Sequence, residues 1–140
     1  MNVFARVVID TSTLVSAALR VGSVPHHALI QAFTTGEVCV SMATLDELEL
    51  VLLRSKFDRY QPADVRKTFA DILRRRASLF MVTEEDELNV NPSCRDPKDN
   101  KFLALIQACD ADVLISSDDD LLVMNPWQDI PILTPAQFLK

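Results

Sequence analysis

A chain of 140 residues with 49% hydrophobic and 24% charged residues has the size and balance of one folded soluble domain, not of a disordered chain. No apolar run approaches the ~18 residues of a membrane span, MNVFARVVID is too short an apolar stretch for a signal peptide, and Cys39, Cys94 and Cys109 lack the even count or CxxC spacing of a disulfide framework or zinc site, so a cytoplasmic protein with reduced thiols is expected. The net charge of −6 counts against a nucleic-acid partner unless several acids share one pocket and are neutralised by a divalent metal.

VFARVVID, residues 3–10, is a mostly apolar run closed by an acid and predicts a buried parallel strand. Ser12 is placed to cap a helix running to Leu19, which Gly22 and Pro25 break. Ala28, Leu29, Ala32 and Phe33 recur at helical spacing over 25–35, with Gly36 as the stop. EVCVS at 37–41 is a second strand. From Met42 to Arg54 the residues Leu45, Leu48, Leu52 and Leu53 share an apolar face. Pro62 opens a longer helix to Ala77, carried by Val65, Phe69, Ile72 and Leu73. LFMV at 79–82 predicts a third strand, and the acidic, then Asn- and Pro-bearing stretch 83–97 a loop. Lys98 to Cys109 is helical, DVLISS at 112–117 a fourth strand, DDDLLVM a short helix, and IPILT a fifth strand before a terminal helical turn. Strands alternating with helices imply one α/β domain over 1–140, with a parallel sheet of about five strands and helices on both faces.

In such sheets ligands sit beyond the carboxyl ends of the strands. Asp10 closes the first strand and Asp118 follows the fourth. Two carboxylates at one rim repel each other, an arrangement that persists mainly when a cation is present. Asp96 and Asp99 lie just ahead of the fourth strand in CRDPKDNKFLAL, Asp120 stands beyond Asp118, and Glu47 edges the apolar stripe of its helix. Each acid also has an ordinary explanation: a cap at Asp10, a first-turn dipole partner at Asp99, a solvated turn at Asp118–Asp120, plain surface at Glu47. Taken together they favour a hard divalent cation, with Mg²⁺ keeping waters that a substrate phosphate displaces, and hence metal-assisted phosphodiester hydrolysis.

Four segments in order, VVIDTSTLVSA (7–17), TLDELELVLLRSKF (44–57), CRDPKDNKFLAL (94–105) and LISSDDDLL (114–122), resemble the PIN-domain family over about residues 5–139. The nearest group is the PilT N-terminus-like, VapC-like ribonucleases, often toxins of bacterial type II toxin–antitoxin modules. The resemblance implies a three-layer α/β/α sandwich and catalytic acids at Asp10, Glu47, Asp99 and Asp118 chelating Mg²⁺ or Mn²⁺, with Asp96 and Asp120 as auxiliary ligands. Thr11 or Ser12 matches the small hydroxyl residue after the first acid, and Ser116 the Thr or Ser before the fourth. The DDD run leaves open whether Asp118 or Asp120 makes the closer metal contact. An RNA substrate, a cognate antitoxin and a homodimer are implied in the same way.

Arg95 and Lys98 flank Asp96 at the presumed rim and are placed to meet phosphates; Arg54, Lys56 and Arg59 are weaker candidates. Arg74–Arg76 read as a solvated face, His26 and His27 as a helix start, and Tyr60 and Trp127 as packing residues rather than base platforms. The rival to a nuclease is a PIN-like module that docks RNA or protein without cutting. An aspartate-nucleophile phosphatase would need an aspartate where Ser12 stands, and a phospho-accepting receiver a lysine where the last strand leads only to Thr134 and Pro135.

Overall fold

A computed structural model describes residues 4–140. Val3, the first residue of the expected opening strand, lies outside the described residues. Five short strands form one all-parallel sheet in the order β3-β2-β1-β4-β5: β1 (Arg6–Ile9), β2 (Glu37–Val40), β3 (Ser78–Leu79), β4 (Val113–Ile115) and β5 (Ile132–Leu133). The register sets Val8 opposite Cys39 on one side and Leu114 on the other.

Because side chains alternate along a strand, each buried strand feeds two cores. Val7, Ile9, Val38, Val40, Val113 and Ile115 point to one face. There they meet α1 (Thr11–Leu19), α2 (Val24–Thr35), α3 (Met42–Leu52), α4 (Ala63–Arg76) and α8 (Pro135–Leu139). Val8, Cys39, Leu114 and Ile132 point to the other face, against α6 (Asn100–Cys109), α7 (Asp119–Leu122) and Trp127. The result is the three-layer α/β/α sandwich.

Local departures from the sequence reading have local causes. Asp10, not Ser12, caps α1, because its carboxylate is the one that reaches the Thr13 amide, and Ser12 is exposed on the first turn. The 83–97 segment is not all loop: Thr83 and Asp86 close a capping box over α5 (Glu84–Leu88), which packs on α6. The third strand is Ser78–Leu79, not 79–82, so its pairing with β2 ends where Phe80 donates its amide to Val40. A single turn of 3₁₀ helix, Pro97–Asp99, precedes α6, moving that helix's start to Asn100. Gly36 earns its place by proximity: a Cβ there would sit 2.5 Å from the Ala5 carbonyl oxygen, against which β2 begins. No helix among the described residues is long and apolar enough to cross a membrane.

Candidate metal-binding acidic site

With every strand parallel, all carboxyl ends open on one rim. The chain leaves β1 toward β2 on one side, while β4 lies on the other, so the rim between β1 and β4 is the switch point at which open α/β sheets hold ligands. Asp10 follows β1 directly. Its Oδ1 accepts from the Thr13 amide at 3.0 Å, Oδ2 accepts from the Ser116 hydroxyl at 2.5 Å, and only 2% of the residue is exposed. Burial pushes its carboxyl above the usual carboxylate range in spite of these donors, and Asp118 adds a smaller push.

Ser116 joins the two strand ends. Fully buried after β4, it donates to Asp10 and accepts the Asp118 amide at 3.0 Å. One hydroxyl therefore ties the Asp10 carboxylate to the backbone of Asp118. Asp118 in turn caps α7 through the Asp120 amide at 2.9 Å. Thr13 and Ser117, 3.2 Å apart through their hydroxyls, tie α1 to the same loop.

Glu47 arrives from α3, whose start is fixed by a reciprocal Ser41–Thr44 capping box. Its two oxygens are held separately, one by the Thr11 hydroxyl and the other by the Lys101 ammonium. Lys101 was not singled out in the sequence. A signal existed: a cation in the first turn of α6 opposes the helix dipole, so it needed a carboxylate partner from elsewhere in the fold.

Asp99, at the entrance to α6, is the least satisfied group. Its Oδ2 is buried without a hydrogen-bond partner. Burial first, then the neighbouring Asp118 carboxylate, then the charges of Asp96 and Asp10, push its carboxyl up to about 7.

Asp10, Thr11, Ser12, Glu47, Asp99 and Asp118 line one cleft of about 210 Å³, floored by Val51 and Phe102. Carboxylate oxygens of Asp96, Asp99 and Asp120 form an adjoining group within 4.8 Å of one another, so Asp99 belongs to both sets. The first and last acids of the DDD run thus part company: Asp118 faces the cleft and Asp120 the adjoining group. Arg95 leans onto Asp120 at 2.8 Å, with its side chain 63% exposed. Lys98 gives only its amide to Asp96, and its exposed ammonium has no ion-pair partner among the described residues.

This donor set consists only of hard carboxylate oxygens, crowded until one of them resists ionisation, with one buried oxygen left over. It suits a hard divalent cation, which would satisfy the orphaned oxygen and relieve the repulsion together. Trp127 is no base platform, since it is buried with its indole N–H on the Pro92 carbonyl at 2.8 Å. Tyr60, by contrast, is 43% exposed rather than packed.

The PIN-domain family model matches residues 6–120, from the start of β1 to the second acid of α7. The chain belongs to the PIN-domain family. Among curated proteins none matches it by sequence. Its fold is shared with solved structures at low identity. VapC20 of Mycobacterium tuberculosis, described as a sarcin–ricin loop cleaving toxin, is 16% identical over 84% of this chain and 94% of its own, with a TM-score of 0.56. VapBC2 of Rickettsia felis, bound to a DNA fragment from its promoter, is 12% identical over 92% and 98%, with a TM-score of 0.63. FitAcB of Neisseria gonorrhoeae is 15% identical over 93% and 98%, with a TM-score of 0.57.

Proposed function

We propose that this PIN-domain protein is a metal-dependent endoribonuclease and the toxin of a toxin–antitoxin pair. The observation that carries the reading is the meeting of Asp10, Glu47, Asp99 and Asp118 in one cleft at the switch point of the sheet. Family membership and the toxin and toxin–antitoxin structures that share the fold support it.

In this reading the four acids hold Mg²⁺ or Mn²⁺, with Asp96 and Asp120 assisting through the shared Asp99. When bound, the ion supplies positive charge to the scissile phosphate and lowers the pKa of attacking water. The chain's own residues do the positioning. Ser116 holds Asp10 and Asp118 in register from behind, and Thr11 aims Glu47. Ser12, exposed at the mouth and only loosely bonded to the Asp10 carboxylate at 3.4 Å, is the hydroxyl placed to turn to a phosphate oxygen, while Arg95 and Lys98 follow the RNA backbone. Water gives up one proton and adds to phosphorus as the bond to the 3′ oxygen breaks, and that oxygen takes up one proton from solvent, leaving a 5′-phosphate and a 3′-hydroxyl. A cytoplasmic setting, a cognate antitoxin covering the cleft and a homodimer complete the proposal.

The test is cleavage of a panel of short labelled RNAs by purified protein in Mn²⁺ or Mg²⁺, beside EDTA and Asp99→Asn controls. Metal-dependent cutting that disappears in the variant supports the nuclease. Cutting that survives Asp99→Asn assigns the activity elsewhere, and absence of both cutting and Mn²⁺ binding points to the docking module.

A further inference from the structure

Beside the acidic cleft lies a segment of opposite charge. Residues 54–61, between α3 and α4, read RSKFDRYQ, with three cations and one acid, Asp58. Arg66 of α4, 1% exposed, takes that acid out of play by pairing with it, and donates further to the carbonyls of Leu52, Arg54 and Gln61. One buried guanidinium thereby fixes the turn and neutralises its carboxylate. Arg54, Lys56 and Arg59 are left exposed without an ion-pair partner among the described residues.

On this frame stands Tyr60, the only tyrosine of the chain and 43% exposed. The guanidinium groups of Arg59 and Arg20 lie 5.4 and 5.6 Å from its ring centroid. A second cleft, of about 410 Å³, opens beside the ring and is lined by Ser16, Arg20, Ser23, Pro25 and Phe57 together with Tyr60. Helix α1 connects the two clefts. Ser12 lines the acidic one, Ser16 and Arg20 the other, and all three are exposed at successive spacings of four residues. Eight residues of helix make a polar path about 12 Å long from Ser12 to Arg20.

We propose that Tyr60, with Arg20 and Arg59, is a base-stacking subsite for single-stranded RNA whose backbone runs along α1 into the acidic cleft. The subsite deepens the ribonuclease reading and rests on it. An exposed aromatic face flanked by cations stacks an unpaired base of any sequence, and the guanidinium that the base displaces is free for the adjoining phosphate. A duplex hides its base faces and gains nothing from the ring. The subsite also answers the charge problem: a chain of net −6 meets a polyanion through one neutralised cleft and one cationic turn.

The test measures binding of a short unstructured fluorescent RNA to the Asp99→Asn variant, which keeps the strand whole. Adding Tyr60→Leu should weaken binding on the order of 5- to 100-fold, whereas Tyr60→Phe should stay close to the parent. Arg59→Gln should flatten the dependence of log affinity on log salt by about 0.7. The ring resonances of the sole tyrosine should shift when RNA is added to the parent, a readout independent of how the Leu variant folds. Equal binding by the Leu variant, unmoved ring resonances, or a duplex bound as tightly as the single strand overturns the subsite. If the wild-type protein nevertheless cuts RNA, the ribonuclease reading stands without it. If the wild type cuts no RNA and the parent binds none, both fall together.

Discussion

Asp10 and Asp99 are the same side chain at the same rim, yet the fold treats them in opposite ways. Asp10 is the more deeply buried, and its oxygens are met by the Thr13 amide and the Ser116 hydroxyl. Asp99 keeps a buried oxygen with no partner and faces Asp118, Asp96 and Asp10. The β1–β4 side of the rim is thus satisfied by the protein's own donors, whereas the α6 side keeps a buried carboxylate oxygen that no protein group meets. In physical terms, the first acid is built into the fold by its partners, and the second is held with burial and repulsion that the protein does not offset.

The largest effect that sharpens this contrast is in activity and stability together. Asp10→Asn and Asp99→Asn should each reduce metal-dependent cutting by more than the ~10–100-fold that outer partners of a metal site typically carry. The metal-free melts of Asp10→Ala and Asp99→Asn should diverge: Asp10→Ala removes a helix cap and the acceptor for a buried hydroxyl and costs about 2 kcal/mol, while Asp99→Asn costs nothing or stabilises. Equal melts for the two would erase the distinction.

Next comes Ser116→Ala, which keeps both carboxylates but removes the hydroxyl that links Asp10 to the Asp118 backbone. Mn²⁺ affinity, read by titration calorimetry, should fall about 10–100-fold. Unchanged affinity would mean that the hydroxyl merely fills space.

The pH response follows from the raised Asp99 carboxyl. With its folded value at about 7 against an ordinary 3.8, the native state holds a proton that the unfolded chain has already released. That contribution to stability is therefore lost as pH rises from about 4 to about 7 and is level above. Melting of the wild type in EDTA, compared with Asp99→Asn across this window, should show the difference. Stabilisation by added Mn²⁺ should grow in the same window, since the cation favours the ionised acid.

The smallest effect concerns Lys101, whose pairing with Glu47 would compete with a metal under the proposed reading. Lys101→Met should tighten Mn²⁺ binding by about 2- to 5-fold, the range for a partly exposed pair. Weaker binding would instead make the lysine an orienting partner that Glu47 needs.

Much of the sheet was readable because its signal is local. The runs around Val7–Ile9, Val38–Val40 and Val113–Ile115 are apolar on both faces, which is what a strand covered on both sides requires. The α5 helix was missed because EEDEL reads as solvated charge, although Thr83 three residues before Asp86 is a capping-box spacing. The third strand was overdrawn because LFMV is apolar, yet Leu79 and Met81 are 58% and 87% exposed at the sheet edge. Tyr60 and Trp127 read alike in the sequence, and only the packing separates the half-exposed ring from the buried indole.

The sequence by itself determined the alternation of strands and helices and set acids directly after the first and fourth strands, because apolar periodicity and chain order are local properties. From these the parallel sheet and the rim at which such sheets hold ligands follow, while four motif segments carry the family resemblance. Which acid would be satisfied and which left wanting was decided by the tertiary structure. So were the pairing of Lys101 with Glu47 across α6 and α3, and the buried Arg66 that leaves a cationic turn beside an acidic cleft. These depend on burial and on contacts between residues far apart in the chain, and the energy of a charge depends on its surroundings more than on its place in the sequence.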